Sequence, residues 1–228
     1  KVEMDLLSWS RHLRSMPGQG DLPLGDFMAA LGATGYDGAL SLEIFNDQFR
    51  AGSARHVATD GQRSLIHLLD QAAGAGGPAF DRLPERPKCL GVEFVEFAVD
   101  EPTAEELATL FAGLGFTRVG RHVSKSVTLW RQGEINLVIN TEKEGFAHSS
   151  YIVHGPSVCA IGLRVDDVSH AVNRAERLLA QAFRQPVGPG ELEIPAIRGV
   201  GGSLIYFTEP KGDLGRVWEI EFTSEASG

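Results

Sequence analysis

The sequence predicts an α/β segment at the amino end of the chain and an α+β segment over the remainder. Helix, strand and helix follow one another within about 50 residues near the start, a pattern typical of units that build a parallel sheet. A pattern of one strand, one helix and several short strands then occurs twice, with copies about 67 residues apart. Glycine and proline cluster between the two segments, in Gln71–Lys88. Residues 73–88 are therefore predicted as an interdomain linker.

The first segment, residues 1–72, contains a predicted strand between two predicted helices. Apolar residues at i, i+3, i+4 and i+7 indicate the first helix: Leu24, Phe27, Met28 and Leu31. A turn at residues 35–38 precedes the strand Ala39–Phe45, and Ser53 is a suitable N-cap for the second helix. A (β/α)₈ barrel takes about 250 residues. These residues therefore hold at most the last one or two βα units of a TIM barrel.

The second segment, residues 89–228, is predicted as two βαβββ units, at about 91–152 and 157–224. The first begins with strand Gly91–Val99 and helix Thr103–Leu114, and the second with strand Val158–Val165 and helix Ser169–Leu179. Short strands are predicted after each helix, at residues 126–130, 134–140, 191–197, 202–208 and 216–222. Two such units are expected to pack against each other as one module.

Composition excludes several classes of partner. Thirty acidic and 21 basic residues give a formal charge of −9, which disfavours nucleic acid and anionic membranes. No apolar run reaches the ~20 residues of a membrane helix, and the first residues lack a signal-peptide pattern. Cys89 and Cys159 are too few for a disulfide framework. We expect a cytoplasmic protein with reduced cysteines, acting on a small molecule and assembling as a homo-oligomer.

The chain begins at Lys1 without an initiator Met and enters directly into a loop of functional appearance. We therefore expect part of a longer protein. An isolated strand at Ala39–Phe45 would expose both of its faces and both of its edges. Residues 1–75 are accordingly expected to be disordered, swapped or docked on another molecule unless further barrel strands are present.

Two stretches of the first segment, Ser8–Leu24 and Gly35–Asp47, resemble the last two units of xylose-isomerase-like TIM barrels. More narrowly, they resemble 3-dehydroshikimate dehydratases that carry a dioxygenase-like carboxy-terminal domain. The resemblance implies a lyase that removes water from 3-dehydroshikimate to give protocatechuate, with a divalent metal (Mg, Mn or Co) in the barrel. The remaining metal ligands and the catalytic base of the family would precede Lys1, so the chain alone is expected to be inactive.

The same resemblance implies roles for four residues. Glu43, near the end of the predicted last strand, corresponds to a metal ligand, and carboxylate oxygen suits a hard cation. Arg14 precedes Pro17-Gly18 where these barrels place an arginine beside the substrate, and its guanidinium suits a carboxylate. Arg11 and His12 are weaker candidates for substrate binding. Without the resemblance, Glu43 would be interpreted as a surface carboxylate at a frayed strand end, and the basic residues could belong to a solvated loop.

The second segment resembles one half of 4-hydroxyphenylpyruvate dioxygenases, members of the vicinal-oxygen-chelate superfamily. The resemblance is carried by residues 91–100, 113–140 and especially His154–Val168. Such dioxygenases hold Fe(II) by two His and one Glu. The corresponding positions are Phe94, Ala160 and Glu219, of which only the last could ligate. No cofactor is therefore expected in residues 89–228.

Other functions remain open at this stage. An Fe(II) oxygenase acting on a 2-oxo acid would need a His-His-Glu ligand set, which residues 89–228 do not supply. A histidine cluster formed only on folding would have to come from His122, His148 and His154, all on predicted turns. Glu93 and Glu96 interrupt an apolar strand, so they either lie at an exposed edge or bond inside the sheet. Paired βαβββ units without metal ligands could also serve as a non-catalytic binding or oligomerisation module.

Overall fold

The computed structural model describes residues 5–74 and 82–225, which separate into two units. Unit 1 comprises the described residues up to Pro84 together with Arg177–Leu179, and unit 2 comprises Glu85–Glu176 and the residues from Ala180 onward. Residues 75–81, within the predicted linker, lie outside the described residues. Each unit has its own apolar core.

Unit 1 is helical in its described part. Its helices are α1 (Leu6–His12), α2 (Leu24–Ala33), α3 (Asp47–Ala51) and α4 (Ala54–Gly74). Short polar side chains cap the amino ends of three of these helices by accepting hydrogen bonds from backbone N–H groups. Asp5 accepts from Ser8 N (2.9 Å), Asn46 caps α3, and Ser53 accepts from His56 N, as predicted for a cap.

The core of unit 1 lies between α2 and α4. Leu24, Met28 and Leu31 of α2 pack with Leu68 and Ala72 of α4, which confirms most of the predicted apolar face. Phe27 was predicted on the same face but is 62% exposed. It stands at the edge of the stripe, and three smaller apolar side chains already fill the contact with α4.

The strand predicted at Ala39–Phe45 is wrong for this structure, in which the segment has no regular secondary structure. A strand needs a hydrogen-bonded neighbour, and the described residues of unit 1 contain no other strand. The segment is held instead by an isolated bridge between Leu13 and Asn46 and by the packing of Leu40 on the α2–α4 core.

Unit 2 is a nine-stranded mixed sheet with helices. Its elements in chain order are β1 (Cys89–Ala98), α5 (Glu101–Gly113), β2 (Thr117–His122), β3 (Val127–Gln132), β4 (Ile135–Asn140), α6 (Gly145–His154), β5 (Ser157–Val165), α7 (Val168–Arg177), β6 (Ala182–Phe183), β7 (Ala196–Arg198), β8 (Leu204–Thr208), α8 (Val217–Ile220) and β9 (Phe222–Ser224). Short 3₁₀ turns occupy Val200–Gly202 and Asp213–Arg216.

The sheet contains the same arrangement twice. Its order is β6-β7-β8-β5-β1-β4-β3-β2-β9. In the first half β1 pairs in parallel with β4, and in the second half β5 pairs in parallel with β8. β1 and β5 join the halves as antiparallel neighbours. The predicted repeat of two βαβββ units is therefore present, with β9 added antiparallel to β2.

The two faces of the sheet have different roles because successive side chains of a strand point to opposite sides. On the outer face, Phe111 of α5 packs with Trp130 and Ile139, while Val168 of α7 packs with Phe207. The inner face carries side chains that alternate with these along the strands: Phe94, Glu96, Val127, Val138, Asn140, Ala160, Leu204 and Tyr206. This inner face positions the candidate site described below.

Two of the predicted short strands are wrong in whole or in part. Of the stretch 191–197, only Ala196 and Ile197 lie in a strand, while the Glu191 side chain bonds to Lys125 and the Leu192 backbone bonds to Glu221. Within the stretch 216–222, Val217–Ile220 form α8 and only Phe222 belongs to a strand, β9. β9 pairs with β2 only as far as His122, where β2 ends in a turn, so the preceding residues have no neighbouring strand.

Leu204 provides a test of the unit 2 core. Its side chain is 0% exposed and packs with Ala98, Cys159 and Ala160. Leu204→Ala should lower the free energy of unfolding by about 2–5 kcal/mol through lost burial and an unfilled cavity. Ile152→Ala, at a side chain that is 67% exposed, should change it by less than about 0.5 kcal/mol. Urea unfolding of both variants measures this, and equal midpoints would contradict the assigned core.

Candidate functional site

A cavity of about 860 Å³ opens over the inner face of unit 2, within the size range of small-molecule sites. It continues along β6 and β7 to α7. The strands supply Phe94, Glu96, Asn140 and Tyr206 to its lining, and α8 adds Trp218. We call it the unit 2 cavity.

Glu96 and Tyr206 are polar groups on the apolar wall of this cavity. Glu96 accepts a hydrogen bond from Asn140 Nδ2 (2.7 Å), and Asn140 is fixed in turn because its Oδ1 accepts from Glu142 N. Burial raises the pKa of Glu96, against the opposing effect of the Asn140 hydrogen bond. Burial, followed by the charge of Glu96, also raises the pKa of Tyr206. The Tyr206 hydroxyl is therefore a protonated hydrogen-bond donor.

His122 and Glu221 form a buried pair on the cavity wall, with 2.7 Å between His122 Nε2 and Glu221 Oε2. His122 Nδ1 accepts from the backbone N–H groups of Ser124 and Lys125, both at 3.2 Å. Since Nδ1 is an acceptor, the ring proton lies on Nε2 and is donated to Glu221. The imidazole is then neutral, and the Glu221 carboxylate keeps its negative charge within the wall.

Glu191 is bound by three donors at the rim of the cavity. Lys125 Nζ lies 2.9 Å from its Oε2, Gly188 N donates to the same oxygen at 2.8 Å, and Ser124 Oγ donates to the other. Burial alone would raise the pKa of Glu191, but the hydrogen bonds from these donors outweigh it and lower the pKa to about 2. The Lys125 charge is thus already matched.

Glu93 lies outside the cavity lining and has its own partners. Its carboxylate accepts from Trp218 Nε1 (2.7 Å) and pairs with Arg164 Nε (2.6 Å). The β1–β5 pairing has a register shift between Val92 and Phe94, which is where Glu93 lies. The two glutamates of β1 therefore have different environments, and neither is at an exposed sheet edge.

The positions that correspond to dioxygenase ligands do not form a metal set. Phe94 and Ala160 are buried on the inner face and carry no ligating atom. Glu219 is wrong as a residue of this face, because its side chain is 67% exposed and bonds to Arg216 (2.8 Å). The α8 helix separates it from Glu221, which a strand would have placed on the same side. The cavity thus contains Glu221 instead.

The three histidines considered as a cluster lie apart in the fold. His122 is the last residue of β2, and His148 and His154 belong to α6 rather than to turns. Over residues 5–74 and 82–225, no group of three His, Cys, Asp or Glu side chains is placed to hold a metal ion.

In unit 1, the structure brings Arg14 to the end of the segment that contains Glu43. Arg14 N donates to Phe45 O (3.0 Å), and its guanidinium stacks over the Phe45 ring at 4.6 Å. Arg14 Nε donates to Ser10 O, and Asn46 Nδ2 donates to Arg14 O. The side chain is therefore oriented beside this loop by backbone and aromatic contacts.

The other residues predicted for this site are more exposed. His12 Nδ1 lies 2.8 Å from Asp47 Oδ2, and Arg11 is solvent-exposed on α1. Glu43 is exposed between half-buried Leu42 and Ile44. One exposed carboxylate does not make a divalent-metal site, so the described residues alone do not fit the metal that the barrel resemblance implies.

Sequence reasoning identified Glu96 only as one of two alternatives and missed Asn140, Tyr206 and the partnership of His122 with Glu221. His122 and Glu221 are 99 positions apart, and a pairing of that separation depends on β9 lying beside β2. The Glu-x-Glu pattern at residues 219–221 is the available signal. A strand would place both carboxylates on one face, whereas a helix directs them to different sides. In the described part of the chain, the helices are too short or too polar to cross a bilayer.

The duplicated βαβββ sheet and its inner cavity define a vicinal-oxygen-chelate domain. A family model described as "Hydroxyphenylpyruvate dioxygenase, HPPD, N-terminal" matches residues 85–223. The chain therefore belongs to this family of dioxygenase amino-terminal domains, as the resemblance in the sequence predicted.

Longer proteins match nearly the whole chain. The 3-dehydroshikimate dehydratase of Pseudomonas putida is 47% identical over 233 residues, covering 97% of this chain and 36% of that protein. The enzyme of the same name from Pseudomonas aeruginosa is 44% identical over 231 residues, covering 98% and 36%. A solved xylose isomerase-like TIM barrel/4-hydroxyphenylpyruvate dioxygenase fusion protein superposes with a TM-score of 0.86 at 44% identity, over 99% of this chain and 37% of that one. The chain thus spans 36% of the length of these two dehydratases.

The protonation of His122 can be tested directly. Long-range ¹H–¹⁵N spectra of the chain should show His122 as the Nε2–H tautomer, because Nδ1 accepts two backbone hydrogen bonds. His154, which is solvent-exposed on α6, should show averaged tautomers under the same conditions. A proton on Nδ1 of His122 would contradict the assigned hydrogen-bond network.

Glu191 should make stability depend on pH. The pKa of this carboxyl falls from 4.5 to about 2 on folding, so its contribution is complete above pH 4.5 and is lost as pH falls toward 2. Glu191→Gln should cost about 2–3 kcal/mol at pH 7 and less than half of that at pH 3. Urea unfolding at the two pH values measures the difference. Exposed Glu219→Gln is the control, and a pH-independent cost at residue 191 would contradict the lowered pKa.

Proposed function

We propose that this chain forms part of a 3-dehydroshikimate dehydratase that carries a dioxygenase-like domain. The proposal is supported chiefly by the 44% and 47% identity to two proteins of that name over almost the entire chain. Residues 1–72 would complete the end of a xylose-isomerase-like TIM barrel, residues 73–88 would link it, and residues 89–228 would be the dioxygenase-like domain. The TM-score of 0.86 against the barrel–dioxygenase fusion protein supports the combination of a barrel part with a dioxygenase-like domain.

The proposed reaction is the loss of water from 3-dehydroshikimate to give protocatechuate, and unit 1 would contribute to substrate and metal binding. Arg14 is suited to a substrate carboxylate because its guanidinium presents several donors and is already oriented by Phe45 and Ser10. Arg11 and His12 would lie at the same mouth. Glu43 would be one ligand of a divalent metal (Mg, Mn or Co) completed by residues of a longer protein.

Unit 2 would have no share in this elimination. Its inner face lacks the two histidines that an Fe(II) oxygenase of this family would need, since Phe94 and Ala160 occupy those positions. Oxygen consumption with a 2-oxo acid by the chain supplied with Fe(II) would contradict this assignment. We also propose a cytoplasmic location and assembly as a homo-oligomer. Light scattering on the purified chain can test the oligomeric state.

The dehydratase assignment is tested in the gene product that contains this chain. Glu43→Gln should reduce metal-dependent formation of protocatechuate by about 100-fold or more and lower the bound metal content, since a ligand is lost. Arg14→Lys should chiefly raise KM because a bidentate carboxylate contact becomes a single one. Absorbance of the aromatic product measures both effects.

Glu219→Gln, on the surface of unit 2, is the matched control and should retain full activity. The 228-residue chain by itself should form no protocatechuate. Normal activity and metal content in Glu43→Gln would contradict the proposed ligand, and activity of the isolated chain would contradict the need for further barrel residues.

A further inference from the structure

The unit 2 cavity combines two kinds of side chain. Six aromatic rings line it: Phe94, Phe146, Phe183, Tyr206, Trp218 and Phe222. Six carboxylates line it as well: Glu96, Glu142, Glu144, Glu176, Glu193 and Glu221. The lysine and arginine residues of the lining are Lys125 and Arg184. Rings and carboxylates together are the groups by which proteins bind organic cations.

The few basic groups do not balance this negative charge. Lys125 pairs with Glu191 at 2.9 Å, and Arg184, the other of these two basic residues of the lining, stands against six carboxylates. His122 donates to Glu221 as a neutral ring, so that pair retains a net negative charge. A ligand carboxylate would enter a region of like charge, at an energetic cost that low local dielectric increases. The cavity therefore disfavours the carboxylate-bearing substrates of the enzymes that the chain resembles.

Glu96 retains hydrogen-bonding capacity toward the cavity. It accepts one hydrogen bond, from Asn140, and it has no ion-pair partner in the part of the chain that the structure describes. A carboxylate removed from water without a cation is unfavourable, and a ligand ammonium group would relieve that cost. The Tyr206 hydroxyl lines the same cavity and can also bond to the ligand.

The aromatic side chains already hold a cation at one end of this face. The Arg198 guanidinium lies 4.7 Å from the centre of the Phe183 ring and 5.1 Å from that of Phe146. Nearer Glu96, the Phe94 ring lies 5.8 Å from both Tyr206 and Trp218. These rings provide an apolar surface next to the buried carboxyl group.

We propose that the unit 2 cavity is a binding site for a small organic cation with an aromatic body, whose ammonium group bonds to Glu96 and whose ring packs on Phe94 and Trp218. The site is distinct from the proposed dehydratase site, since every lining residue belongs to unit 2. It gives the dioxygenase-like unit a ligand without requiring a metal.

Calorimetric titration of the 228-residue chain with three matched probes tests this site. Phenethylamine carries a cation, 2-phenylethanol is neutral, and 3-phenylpropionate carries a carboxylate, on bodies of similar size. We expect phenethylamine to bind at least about 10-fold more tightly than the alcohol, and the carboxylate to show no binding. Glu96→Gln should weaken phenethylamine binding by about 10-fold or more, whereas Glu219→Gln should leave it unchanged.

The wild-type comparison needs no variant, so the proposal stays testable even if Glu96→Gln fails to fold. Tyr206→Phe, a smaller change on the same wall, should weaken phenethylamine by a few-fold. Equal or tighter binding of 3-phenylpropionate would overturn the proposal. So would phenethylamine binding that is unaffected by Glu96→Gln in a folded variant, or the absence of binding by phenethylamine at millimolar concentration.

Discussion

The antiparallel pairing of β1 with β5 is the constraint on which unit 2 depends. It joins two βαβββ repeats into one sheet, since each repeat contributes one central strand and places its own parallel partner on the far side. The pairing also fixes the register of the inner face, where Glu96 lies opposite Ala160 and Phe94 opposite Gly162. A slip of one residue would exchange the two faces of the central strands. The apolar packing of the helices and the polar groups of the cavity therefore depend on the same register.

The repeat could be predicted because its signals are local. Strand patterns at 91–99 and 158–165 and helices after them are encoded in short windows, and their bounds agree closely with β1, β5, α5 and α7. The failures come from longer-range effects. Residues 216–222 alternate like a strand, yet pairing with β2 begins only at Phe222, and Val217–Ile220 form α8. Because α8 leaves Glu219 on the surface, the cavity contains Glu221 rather than the predicted Glu219.

In the candidate sites too, the local features could be predicted and the long-range contacts could not. Glu96 could be recognised as an unusual carboxylate on an apolar strand, but its partner Asn140 comes from β4, 44 positions later. In unit 1, the contact of Arg14 with Phe45 places two predicted stretches of the barrel resemblance side by side, which spacing alone could not establish. Glu43 shows the limit of such reasoning, since its exposed position reflects a segment without neighbouring strands. The metal-ligand role of Glu43 stays a prediction, since the described residues place no metal-binding group of three His, Cys, Asp or Glu side chains around it.

The ends of the sheet in unit 2 affect how copies of the chain can associate. The terminal strands are β6, with two residues, and β9, with three. Edges this short offer few free backbone groups, so a second molecule gains little by extending the sheet. Short edge strands are a common means of preventing strand addition in proteins, and the long strands β1 and β5 lie at the centre of the sheet. Any homo-oligomer built on unit 2 would therefore have to use contacts between side chains on its surfaces rather than a continuous intermolecular sheet.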